Sequence, residues 1–224
     1  MAQSPSSYIR EQSAQGGLLS THKVLRNTYA LLGMTLVFSA LAAAATMAMG
    51  LGRGAALAMM IGGFIMLFVV QKMADSAKGL PAIFVFAGLM GGSLGPMLSA
   101  YLALANGPML IMQALAGTAV VFFSLSAYVL TTKKDFSFMG GFLMVGMVVA
   151  MIAMIAMFFF NTPFIQMAWS AGIVLLMSGF ILFDTSRIIH GGETNYIRAT
   201  VALYLNIYNL FVNLLALLGM GSDD

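Results

Sequence analysis

Residues 198–219 read RATVALYLNIYNLFVNLLALLG, and this stretch decides the fold. As an α-helix it is about 33 Å long at 1.5 Å per residue, enough to cross a hydrocarbon core of about 30 Å. Asn206, Asn209 and Asn213 fall at i, i+3 and i+7, within an arc of about 60° at 100° per residue, and Arg198 extends that stripe. Tyr204 and Tyr208 lie on the opposite side. A spanning helix with polar groups on two faces cannot turn either one toward lipid without cost. The segment is therefore expected inside a bundle, as a central helix wrapped by others.

The rest of the chain supplies the wrapping. Of 224 residues, 61% are apolar and 8% charged, with a mean hydropathy of +0.97, whereas soluble domains carry about 25% charge. Apolar stretches bounded by charges or Asn/Gly/Pro clusters fall at 27–50, 55–73, 80–105, 109–131, 138–160, 164–186 and 197–219. Open strands would leave backbone groups unpaired in hydrocarbon, so the spans are helices. The fold class is all-α: a polytopic membrane protein of seven transmembrane helices, helix seven central and helices one to six around it. Residues 27–220 form the membrane domain, residues 1–26 a polar, disordered cytoplasmic tail, and residues 221–224 a short periplasmic end. That tail lacks the early charge and apolar core of a cleaved signal peptide.

Basic residues orient the bundle, because Lys and Arg of short loops stay on the cytoplasmic side. Arg10, Lys23, Arg26, Lys72, Lys78, Lys133, Lys134, Arg187 and Arg198 fall on one side of the seven spans and Arg53 alone on the other. The amino terminus is thus expected in the cytoplasm, and Asp223 and Asp224 outside. Ten scattered basic residues cannot track a phosphate backbone, so nucleic acid is not an expected partner. The lipid bilayer is.

Little in the chain points to catalysis. Cysteine is absent, which removes thiolate chemistry and Cys-ligated metals. Gly91-Gly92-Ser93-Leu94-Gly95 matches a serine-hydrolase pattern, but that motif needs a strand-to-helix turn and a histidine in reach. His22 and His190 lie roughly 20 Å away, counting 1.5 Å per helical residue. No phosphate-binding loop, zinc helix or histidine pair is present, and every lysine lies in a loop or tail, which excludes a retinal Schiff base. No enzymatic activity, cofactor or metal is expected.

Helix three carries Gly88, Gly91, Gly92 and Gly95 in overlapping GxxxG spacings, which admit a close helix neighbour in this chain or another membrane protein. Pro96 should kink it. Asp184 is the one acid that can lie within the apolar zone, and Arg187 is its helical neighbour three residues on. The pair reads either as an interfacial ion pair or as a proton or cation site. The three asparagines read as hydrogen-bonding glue between helices or as the lining of a hydrated path.

These residues carry a family resemblance. Phe183-Asp184-Thr185, the loop HGGETNYIRAT at 190–200, YLNIYNLF at 204–211, LSTHKVLRNTY at 19–29 and SAYVLTT at 126–132 resemble the bacterial branch of the Bax inhibitor-1 family, from about residue 18 to the end. The resemblance implies a central seventh helix and an inner-membrane location. It implies two activities. One is binding and modulation of the membrane AAA protease FtsH, with its associated membrane regulators, as a slow substrate gripped by its tail. The other is a pH-sensitive Ca²⁺ or H⁺ leak, latched by an aspartate pair in helices six and seven. Asp184 matches the first aspartate, but the second position is Asn206, and an acid facing a neutral amide lacks the coupled titration of two carboxylates.

Overall fold

A computed structural model describes the backbone of residues 5–160 and 162–221 and the side chains from Thr21 onward. Its helices are α1 (Pro5–Ala48), α2 (Arg53–Met73), α3 (Gly79–Leu102), α4 (Gly107–Thr132), α5 (Gly140–Ala156), α6 (Pro163–Ile189) and α7 (Tyr196–Met220). A single 3₁₀ turn, Ser137–Met139, precedes α5. All seven contain a stretch long and apolar enough to cross a membrane, the first beginning at Thr21. The helical backbone of α1 runs back through the polar stretch to Pro5, where a residue without an N–H costs a helix nothing. Residues 1–4 of the expected tail and 222–224 of the expected periplasmic end lie outside the described residues.

Local chemistry sets the helix ends. Pro108 and Pro163 stand in the first turns of α4 and α6, and the Thr162 hydroxyl caps the N–H of Ile165 at 3.3 Å. Asn195 caps α7 by accepting from the N–H groups of Ile197 (2.8 Å) and Arg198 (3.2 Å). Gly50, at φ +63°, turns the chain out of α1, a left-handed conformation that glycine adopts without a Cβ penalty.

Half of the α7 span is buried, the largest share of the seven. It touches α1, α2, α3, α4 and α6, but not α5, so the expected ring of six neighbours is not closed. The reason lies in composition: α5 (GGFLMVGMVVAMIAMIA) has no polar side chain to satisfy and can face lipid at no cost. It packs on α6 alone, over an apolar groove of about 540 Å³.

The glycines of α3 serve packing within the chain. A Cβ on Gly91 would stand 2.2 Å from the Ser39 carbonyl oxygen, and one on Gly95 would stand 2.0 Å from the Thr46 hydroxyl, so α1 and α3 meet nearly backbone to backbone. Gly88 lies against Phe38, and Gly92 against Met59 and Thr46. Pro96 cannot bond the carbonyl of Gly92, four residues back. Thr46 on α1 reaches the vacancy: its Oγ1 hydrogen is shared between Gly92 O and Ala43 O of its own helix, both at 2.9 Å. Thr46→Val should therefore cost about 1–3 kcal/mol in detergent unfolding, since it orphans a buried carbonyl. In a Pro96→Ala background, where the restored N–H serves that carbonyl, the cost should fall below about 1 kcal/mol; an equal cost in both backgrounds would refute the exchange.

Candidate functional site

The two polar edges of α7 meet different neighbours. On one, the Tyr204 hydroxyl shares a 2.6 Å hydrogen bond with Ser39 of α1 and donates weakly to Ala87 O of α3 at 3.4 Å. One turn on, the Tyr208 hydroxyl lies 3.1 Å from Ser93 Oγ, and the two tyrosine rings stack with centroids 6.3 Å apart. Ser93 also donates to its own helix at Met90 O (2.6 Å). The serine of the hydrolase-like pattern is thus committed to helix packing.

On the other edge, Asn206 Nδ2 donates to Asp184 Oδ2 of α6 at 2.8 Å. A carboxylate only accepts, so the amide must turn its nitrogen toward it. The structure thus brings together the two positions that the sequence reading paired. Asn209 and Asn213 behave differently: their amide nitrogens donate to Leu205 O (2.9 Å) and Asn209 O (2.8 Å), carbonyls of their own helix. Of the three asparagines, only Asn206 donates to another helix.

Arg187 is paired with Glu193 at 3.8 Å and with Gly192 O at 3.1 Å, rather than with Asp184. Its long side chain follows the end of α6 into the loop, where Gly191 at φ +76° reverses the chain and presents the glutamate. Arg198 leaves the asparagine stripe for an ion pair with Asp75, between α2 and α3. Asn195 joins it, donating to Asp75 Oδ1 (2.8 Å) and Ala74 O (2.9 Å). Sequence reasoning missed this clasp, and its one available signal was Asn195 as a helix cap.

A second cluster ties the α4–α5 connection to α6. Ser186 Oγ accepts from Phe136 N (2.9 Å) and donates to Asp135 Oδ1 (3.4 Å). The two nitrogens of His190 lie 2.9 Å from Ser186 O and 3.2 Å from Lys133 O. Hydrogen bonds from the Ser137 side chain and N–H hold the Asp135 carboxyl below the ordinary carboxylate value. Its charge is therefore present at neutral pH and persists to lower pH than that of an ordinary aspartate. Among the described residues no group of three or more His, Asp or Glu side chains could hold a metal.

The family described as "Inhibitor of apoptosis-promoting Bax1" matches residues 21–223. The chain belongs to the Bax inhibitor-1 family. Within the family it is 52% identical over 207 residues to "Modulator of FtsH protease YccA" of Escherichia coli (strain K12), covering 92% of this chain and 94% of that one. "Inner membrane protein YccA" of Escherichia coli O6:H1 (strain CFT073) matches to the same extent. An uncharacterized membrane protein of Vibrio cholerae is 53% identical over 92% of this chain and 93% of its own. With seven helices long and apolar enough to cross a membrane, this Bax inhibitor-1 family member is a multi-pass membrane protein.

The two edges predict different responses to substitution. Tyr204→Phe should cost about 0.5–1.5 kcal/mol, the range of interhelical hydrogen bonds in bilayers. Asn209→Leu should stay within about 0.5 kcal/mol of the parent, because its amide serves only its own turn. Unfolding of both variants in one detergent checks this ordering, and the reverse order would contradict it.

Proposed function

We propose that the protein is an inner-membrane regulator, without catalysis of its own, that binds and modulates the FtsH protease complex as a slowly consumed substrate. The observation that carries this reading is the 52% identity, over 92% of the chain, to a relative named for that modulation. The charge bias supports an orientation with the amino terminus and the three basic connections in the cytoplasm, where the ATPase ring of such a protease works. The described part of α1 long and apolar enough to cross the membrane is Thr21–Ala48, and the polar residues of the amino-terminal sequence supply the handle.

The ion-leak reading has less support. Asp184 faces an amide rather than a second carboxyl, and neither Asp184 nor Asn206 lines any of the three main cavities. Asn209 and Asn213 are bonded to their own helix.

Deleting residues 2 to 20 should lengthen the half-life of the protein in cells several-fold, with co-purification of the protease retained. Pulse-chase labelling and affinity capture of the same tagged protein measure both. Unchanged decay would remove the handle, and loss of co-purification would place the binding surface in the tail.

A further inference from the structure

Of the helices that contact α7, α1 and α4 each pack on α3 and α6 but leave a seam between themselves. Among the described residues no Cα of α1 comes within 8 Å of a Cα of α4. The side chains bridge it at Tyr29 and Phe122, whose rings lie 6.1 Å apart. The face of α1 turned to this seam is one helical stripe: Arg26, Tyr29, Gly33, Leu36, Ala40 and Met47. Nothing would meet a Cβ on Gly33 within 4 Å, so the seam stays open there. Further along the stripe, Leu36, Ala40 and Met47 line a separate, largely apolar cavity of about 240 Å³.

Beside residues 22–29 of α1 lies a cup of about 630 Å³, lined by His22, Lys23, Leu25, Arg26, Tyr29 and Leu130. No carboxylate lines it, and neither Lys23 nor Arg26 forms an ion pair among the described residues. Two adjacent hydroxyls, Thr28 Oγ1 and Tyr29 Oη, are buried without a hydrogen-bond partner among the described residues. Cations at the mouth and an apolar helix seam beside them match one ligand chemistry.

We propose that the α1–α4 seam binds one anionic phospholipid. Its phosphate sits between Lys23 and Arg26 beside His22, and an acyl chain lies along the seam past Gly33. A basic pocket between transmembrane helices is a recognised headgroup site. A zwitterionic lipid brings its own cation against Lys23 and Arg26 and is disfavoured. A free phosphate leaves Leu25, Leu130 and the seam unfilled. The site stands apart from the protease reading, and its test uses no protease.

The full-length protein, in micelles with equimolar phosphatidylglycerol and phosphatidylcholine of identical chains, is examined by native mass spectrometry. One phosphatidylglycerol should stay bound in preference to phosphatidylcholine by roughly tenfold, and excess inorganic phosphate should not displace it. Lys23→Gln with Arg26→Gln should abolish the preference, each single substitution should reduce it, and the exposed pair Lys72→Gln with Lys78→Gln should leave it intact. Equal retention of both lipids would overturn the proposal, as would a preference that survives loss of Lys23 and Arg26 or vanishes with Lys72 and Lys78. Displacement by inorganic phosphate would show a phosphate cup and remove the seam from the site.

Discussion

Hydrocarbon offers no hydrogen bonds, so each polar side chain carried into the membrane must find its partner in protein. In this chain the constraint falls most heavily on α7. Its amide edge needs a donor-accepting surface, which α6 provides through Asp184, and its phenol edge needs hydroxyls, which α1 and α3 provide through Ser39 and Ser93. Those three contacts fix the rotation of α7 about its axis. A quarter turn either way would break all of them and expose asparagine to lipid or to leucine. The bundle is arranged so that the helices able to answer α7 touch it, while the purely apolar α5 stands off.

The same constraint explains the join of α1 to α3. A proline inside a membrane helix frees a carbonyl, and glycines let a second backbone come close enough to serve it. Gly91 and Gly95 admit α1, and α1 brings Thr46 to the carbonyl that Pro96 leaves unbonded. Glycine and proline, each unfavourable in an isolated soluble helix, act here as one interhelical device.

The spans were legible in the sequence because lipid imposes a length and a composition on every crossing segment. Five of the seven expected segments agree with the helices to within three residues at each end; the expected fifth overran α5 by four residues at Phe160, and α1 begins at Pro5, well before the expected residue 27. The two polar edges of α7 followed from angular arithmetic, whereas the pairing of Asp184 with Asn206 came from the family resemblance and not from spacing. What spacing alone could not supply was the choice among competing partners. Arg187 lies one helical turn from Asp184 yet meets Glu193, because the Gly191 reversal brings that acid back. Asn209 and Asn213 have carbonyls of their own helix within reach at every turn, and they take them. Arg198 meets Asp75 across 123 residues of chain, a distance over which local pattern carries no information. The open seam between α1 and α4 is likewise invisible from sequence, because it depends on which helices fail to meet.

Family membership and the polar architecture together describe a membrane protein whose most conspicuous polar groups hold it together, leaving its regulatory chemistry to its surfaces and ends. The central claim is that Asp184 and Asn206 are energetically one unit. A double-mutant cycle of Asp184→Leu, Asn206→Leu and the double variant, followed by reversible unfolding in micelles, measures that directly. The account predicts a coupling of about 1 kcal/mol or more, with the double variant more stable than the sum of the singles implies. Strict additivity of the two losses would contradict it.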